Sequence, residues 1–171
     1  MSHFQIVPLD ATHAVSEFRS GEQSLDDWLR KHALANQLVH SSRTFVLVEP
    51  GSPRVWGYYS LTVASIQRQE AAKTARSGMP QAYDIPAVLL ARLARDEKRK
   101  YEGLDPLLLA DAVLRTIRMS QDAGIRVLAV HAINDKARTW YLEHDFQPSP
   151  IHDRLLMLSV PDLLATWDSV R

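Results

Sequence analysis

The sequence predicts a mixed α/β fold in a single domain, 1–171, with a central, mostly antiparallel sheet, helices on both faces and a central strand pair that splays apart. Three observations carry this. Apolar, β-branched runs at 43–48 and 55–66 flank the turn Glu49-Pro50-Gly51-Ser52-Pro53, which makes an antiparallel hairpin. A second such run, 125–131, breaks at a polar turn and becomes a short amphipathic helix, an order that lets a strand end part from its neighbour. A chain of 171 residues, 46% of them hydrophobic, can bury one sizeable core.

Along the chain, 4–9 reads as an edge strand. Ser20 and Gln23 have capping-box spacing, so a helix is expected from there to about Leu38. Leu25, Trp28, Leu29, Ala33 and Leu34 recur at three and four residues, leaving Asp26, Asp27, Arg30 and Lys31 to face water. After the hairpin, 67–84 keeps no steady period and reads as a loop with one helical turn, of a length that usually carries function or mobility. The apolar run 85–94 predicts a central strand, closed by Arg95-Asp96-Glu97-Lys98-Arg99-Lys100. Pro106 suits the first helical position, so a helix is expected from Pro106 to about Gln121, with Gly124 as its stop. A strand at 125–131, a helix at 135–144 and a last strand at 154–160 complete the order.

Composition excludes several classes. The chain lacks cysteine, so disulfides and thiol nucleophiles are absent. No apolar run is long enough for a signal peptide or a spanning helix, which predicts a cytoplasmic protein with no membrane association. Twenty basic residues balance twenty acidic ones, so any nucleic-acid contact must come from local clustering. The seven histidines have no ligand spacing, so no metal site is expected. Asp26 and Asp27, adjacent on a helix, read as a wet face and not a catalytic pair. Trp28 and Trp140 read as core or interface anchors, and an exposed one would be free to stack a base. Ser60 and Ser65 lack a base partner, which disfavours a serine hydrolase.

Two segments carry chemistry. Lys98, Arg99, Lys100 and Gly103 precede a helix whose first N–H groups point outward, so they read either as an anion-cradling turn or as a solvated charge run. Asn134 marks the edge of the slot beyond 125–131, and Tyr141 reads either as an acid facing that slot or as a core-lining aromatic.

The chain resembles the GCN5-related N-acetyltransferases, and more narrowly the acetyltransferase toxins of bacterial type II toxin–antitoxin modules. The resemblance spans nearly the whole chain. It rests on Phe18-Arg19-Ser20-Gly21, Ser24-Leu25-Asp26-Asp27-Trp28-Leu29, Ser42-Arg43-Thr44-Phe45-Val46 and Val55-Trp56-Gly57-Tyr58-Tyr59-Ser60-Leu61. Ile85-Pro86, Ala91-Arg92-Leu93-Ala94-Arg95-Asp96, Leu108-Leu109-Ala110-Asp111-Ala112 and the run from Ala137 to His144 follow in the same order. The resemblance implies acetyl-CoA as cofactor: Leu93, Ala94 and Arg95 pair with the pantetheine arm, the turn from Lys98 to Pro106 holds the pyrophosphate, and Asn134 is a second cofactor position. The family pattern is Gln or Arg, Gly, any residue, Gly, any residue, Gly or Ala. Here it reads Lys100, Tyr101, Glu102, Gly103, Leu104 and Asp105, so only the middle glycine survives. Asp105 adds a carboxylate near the expected phosphates, so its removal is expected to tighten cofactor binding. Asp145 stands before Phe146 where the family has glycine.

By the same resemblance Tyr141 is the acid beside the acetyl-CoA sulfur. A neutral amine attacks the thioester carbonyl and the departing thiolate takes a proton, which a phenol of ordinary pKa, about 10, still holds at neutral pH. The implied acceptor is the α-amine of an aminoacyl-tRNA, with Lys73, Arg76 and Arg92 as RNA contacts; Arg95, Lys98 and Arg99 add charge around the same side. Implied partners are a ribbon-helix-helix antitoxin and a second copy of the chain in a homodimer. Acetylation of a small-molecule or protein amine, and an interaction protein with impaired acetyl-CoA binding, are the alternatives that the altered turn keeps open.

Overall fold

A computed structural model describes residues 3–169. They fall into two compact units, Met1–Thr62 with Ala91–Ala112, and Val63–Leu90 with Val113–Arg171. Strands β3 (Gly57–Ile66) and β4 (Ile85–Arg95) and helix α4 (Leu104–Met119) contribute to both.

In the first unit β1 (Gln5–Pro8) lies at the sheet edge, antiparallel to β2 (Arg43–Val48), and β2 is antiparallel to β3, giving the order β1-β2-β3-β4. Thr44 pairs with Ser60 in register, and their buried hydroxyls lie 2.7 Å apart. The core gathers Phe18, Leu29, Ala33, Val46, Val55, Tyr58 and Ala94. Each large apolar side chain buried here contributes about 1.5–3 kcal/mol. Gly57 has no room for a side chain: a Cβ would meet Leu108 Cδ1 at 2.9 Å and the Ala94 carbonyl oxygen at 3.4 Å. Glycine therefore lets the start of α4 close on β3.

The first helical stretch departs from expectation. It is two helices, α1 (Gln23–Lys31) and α2 (Ala33–Leu38), broken at His32. The capping box does not form, because Glu22 is the N-cap residue and makes no side-chain cap. Instead Asp26 reaches back, accepting from Ser20 N at 2.9 Å and Ser20 Oγ at 2.6 Å. Asp26, expected to face water, is buried. A short carboxylate over the first turn outcompetes a neutral Gln23 amide for these donors.

In the second unit β4 runs parallel to β5 (Val127–His131), β5 antiparallel to β7 (Leu155–Ser159), and β7 antiparallel to β6 (Gln147–Pro148), giving β4-β5-β7-β6. The last β4–β5 pair is Leu90 with Val130, yet β4 continues to Arg95. Strand β5 itself ends one residue after that pair, at His131. The core here gathers Ile66, Ala71, Ala75, Ile85, Ala87, Val127, Ala129, Leu155 and Met157.

Several boundaries move. The strand expected from Ile125 begins at Val127, and the residue before it, Arg126, sends its guanidinium to the carbonyls of Ala75 (2.8 Å) and Ser77 (2.6 Å). Segment 67–84 holds a 3-10 turn, Arg68–Glu70, and a short helix, α3 (Lys73–Arg76). Helix α4 opens at Leu104, so Pro106 is its third residue, still inside the first turn where a backbone N–H has no helical partner to lose. Helix α5 is Asp135–Glu143. The final strand stops at Ser159, and Val160 opens α6 (Val160–Ser169), which the sequence reading left out although Pro161 marks its first turn. Among the described residues no helix is long and apolar enough to cross a membrane.

Candidate active site

The turn after β4 is built on Asp96. This carboxylate, 1% exposed, caps the 3-10 turn Glu97–Arg99 by accepting from Lys98 N at 2.9 Å. It also accepts from Arg19 N and from the Arg54 guanidinium, each at 3.2 Å. Arg54 and Arg99 lie over the Trp56 ring at 4.5 and 4.3 Å, and Arg99 is paired with Glu49 at 2.8 Å. Arg99 is thus tied into the protein, whereas Lys98 and Lys100 stand exposed.

Beyond it the backbone turns left-handed twice, at Tyr101 and at Gly103, both at φ 75°. These are the two positions where the family motif places glycine ahead of the last. Tyr101 adopts that conformation at a cost of about 1–2 kcal/mol, with its ring 91% exposed and 5.3 Å from Lys100 Nζ. The amides of Lys98, Arg99, Lys100 and Glu102 donate within the turn. Those of Tyr101, Gly103 and Leu104 make no hydrogen bond among the described residues, and a Cβ on Gly103 would meet nothing within 4 Å. Open amides beside two exposed lysines fit a pyrophosphate. Asp105 does not stand there as a bare charge: its Oδ2 accepts from Arg95 Nε at 2.9 Å. The expected electrostatic opposition is therefore largely neutralised.

On the preceding strand Leu93 and Arg95 are half-buried and Ala94 is buried. Arg92 lies over the Trp28 ring at 4.2 Å, and Trp28 stacks on Tyr58. Burial pulls the Arg92 guanidinium below its ordinary range and pushes the Tyr58 phenol well above its own; that phenol donates to the Leu25 carbonyl at 2.6 Å.

In the second unit Asn134 caps α5, its Oδ1 accepting from Ala137 N at 2.9 Å. The cap fixes the helix that carries Tyr141. That side chain is buried, with edge-on contacts to Trp140 (5.0 Å) and Phe146 (5.1 Å). Asp145 takes the left-handed conformation, φ 70°, that ends the helix where the family uses glycine. Lys73 and Arg76 sit on α3, where Ala75 and the N-cap residue Ala72 are buried, leaving Lys73 exposed and Arg76 half-buried.

The same unit contains a cavity of about 540 Å³. Its apolar wall is Ala64, Ile66, Leu89, Ala129 and Leu155, and its polar rim includes His131, Glu70 and His152. His152 Nε2 lies 2.9 Å from Glu70 Oε1. Among the described residues no group of His, Cys, Asp and Glu has metal-holding geometry.

The sequence reading missed Asp96, Arg54 and Trp56 as the anchor of the turn, and it missed the cavity. Asp96 carried a signal, an N-cap residue type directly after an apolar strand. The cavity carried none, since its lining comes from β3, β4, β5, β7 and two loops.

No family model matches the chain. The tRNA-acetylating toxin of Mycobacterium tuberculosis (strain ATCC 25618 / H37Rv) is 42% identical over 151 residues, 88% of this chain and 89% of that protein. The structure of AtaT complexed with acetyl-methionyl-tRNAfMet matches with a TM-score of 0.89 at 28% identity, covering 96% of this chain and 99% of that one. A Tyr-to-Phe mutant of the AtaT toxin bound to the C-terminus of the antitoxin AtaR and acetyl-CoA matches with a TM-score of 0.82 at 26% identity, covering 96% and 98%. At that identity and coverage, the chain belongs to the tRNA-acetylating toxins, acetyltransferase-fold members of toxin–antitoxin systems.

Proposed function

We propose that this protein transfers the acetyl group of acetyl-CoA to the α-amine of aminoacyl-tRNA, blocking the use of that aminoacyl group in translation. The 42% identity with the M. tuberculosis toxin over 88% of the chain is the observation that carries this reading. Bound acetyl-CoA supplies an activated acyl thioester. The chain's own part is to hold, orient and move a proton. The open amides of Tyr101, Gly103 and Leu104, with Lys98 and Lys100, hold the pyrophosphate. The backbone of Leu93, Ala94 and Arg95, left without a β5 partner, holds the pantetheine arm. Tyr141 would supply its phenolic proton to the sulfur as the carbon–sulfur bond gives way to the new carbon–nitrogen bond, and would recover a proton through solvent from the one the acetylated amine sheds; Asn134 fixes the helix that positions it. Arg92, Lys73 and Arg76 contact the RNA backbone.

The Asp105–Arg95 pair favours this reading over a domain with impaired cofactor binding, because the carboxylate is already compensated. Following the relative seen with AtaR, this toxin is held in check by a small antitoxin of the ribbon-helix-helix class, and the family resemblance extends to a homodimer. Incubation with labelled acetyl-CoA and a pool of aminoacyl-tRNA tests the activity. Label on the aminoacyl end is the expected result, and no transfer at high enzyme concentration overturns it.

A further inference from the structure

Tyr101 carries a side chain that the turn after β4 does not need. The turn is held by other groups: Lys100 N donates to the Glu97 carbonyl and Glu102 N to the Arg99 carbonyl, each at 3.3 Å, while the Arg99 guanidinium reaches Glu49 (2.8 Å) and Glu102 (3.2 Å). Glycine at 101 would leave all of these bonds in place, and it adopts φ 75° without the strain that a Cβ brings. Burial does not offset that strain, because the ring is 91% exposed. Lys100 Nζ lies over the ring, 5.3 Å from its centroid. A cation on one face of an exposed ring leaves the other face open. Strain kept by an exposed aromatic at a binding turn is characteristic of a ligand contact.

We infer that the Tyr101 ring stacks on the adenine of acetyl-CoA, giving this chain a nucleotide contact where glycine offers none. The inference rests on the acetyl-CoA reading of the turn and adds to it a residue that recognises the nucleotide end. Its placement follows from covalent order. The open amides of Tyr101, Gly103 and Leu104, with the exposed Lys98 and Lys100, suit the pyrophosphate, and the ribose and adenine follow directly on that pyrophosphate. The pantetheine arm leaves the other way, toward Leu93–Arg95, so a side chain rooted on the pyrophosphate amides serves the nucleotide end. Stacking of a base on an aromatic ring needs no fixed hydrogen-bond partner, which suits a ring facing solvent. The Lys100 ammonium held beside the ring acts on the same, phosphate-bearing end of the cofactor. An RNA base is the competing occupant of the same ring face.

The test compares the whole cofactor with a piece that lacks adenosine. Dissociation constants for acetyl-CoA and for S-acetyl-4′-phosphopantetheine, which keeps the acyl arm and one phosphate, are measured on the full chain by displacement of labelled acetyl-CoA. Tyr101→Ala is expected to weaken acetyl-CoA by about fivefold or more and to leave the phosphopantetheine within about twofold of the parent. Tyr101→Phe keeps the stacking face and is expected to bind acetyl-CoA as the parent does. Tyr101→Gly supplies a readout that a merely structural role would not move: glycine relaxes the backbone, so the melting temperature of the free protein should rise while acetyl-CoA affinity falls. If Tyr101→Ala and Tyr101→Gly bind acetyl-CoA as tightly as the parent, or weaken both ligands by the same factor, the ring does not stack on adenine and the inference fails. A raised KM for aminoacyl-tRNA with unchanged acetyl-CoA affinity overturns it in favour of an RNA base. If the parent itself binds no acetyl-CoA, the cofactor reading beneath it fails instead.

Discussion

Tyr141 gives the sharpest single-residue test. Its ring is wedged between Trp140 and Phe146, so Tyr141→Phe keeps the packing and removes only the hydroxyl. Acetyl-CoA affinity and melting temperature should stay near parental while kcat drops by about 10²–10⁴-fold, the usual share of a positioned acid; equal turnover by both forms refutes the assignment. Asp96 predicts a different pattern. Asp96→Ala removes the cap of the turn and the buried partner of Arg54, leaving that guanidinium to Glu17 alone, so stability should fall by about 3 kcal/mol in denaturant titration, and KM for acetyl-CoA should rise more than KM for the RNA. The Asp105–Arg95 pair is partly exposed, so a double-mutant cycle on thermal stability should return a coupling of about 0.5–1 kcal/mol. A coupling near zero means that the carboxylate does not shield the turn, and the electrostatic opposition read from the sequence regains force.

Elements were legible where periodicity was strong and obscure where long-range partners decided. The hairpin β2–β3, central β4 and helix α5 follow directly from apolar alternation and polar turns, whereas the part of Asn134 as the cap of α5 came from the structure. The opening of α1 did not, because Ser20 is claimed by Asp26 and not by Gln23, a choice set by charge and reach. Strand β6 has two residues, too few for any period. Tyr141 and the turn from Lys98 to Pro106 were singled out for acetyl-CoA only through family resemblance; the buried Asp96 anchor was not, since Arg19, Arg54 and Trp56 come from distant parts of the chain. Gly57 tests packing at this scale. Gly57→Ala forces Leu108 or the β4 backbone aside, and overpacking of that kind costs about 1–3 kcal/mol, read as a lowered melting temperature.

Across the whole molecule the formal charges cancel, so attraction to RNA must come from where the charges sit. If Lys73, Arg76 and Arg92 each neutralise one phosphate, the apparent affinity for tRNA should fall with salt at a log–log slope of about −2 to −3, and each Ala variant should reduce that slope by roughly one unit. A slope unchanged in the triple variant removes these residues from the interface. The end of β4–β5 pairing at Leu90 also has a consequence for solubility. Beyond Leu90 the β4 backbone is an interior strand with the chemistry of a sheet edge, and unpaired edges template association with other chains. Filling that edge with acetyl-CoA should slow amide hydrogen exchange at Ala91–Arg95 and suppress self-association on storage, making the cofactor a guard of the fold as well as a source of acetyl groups.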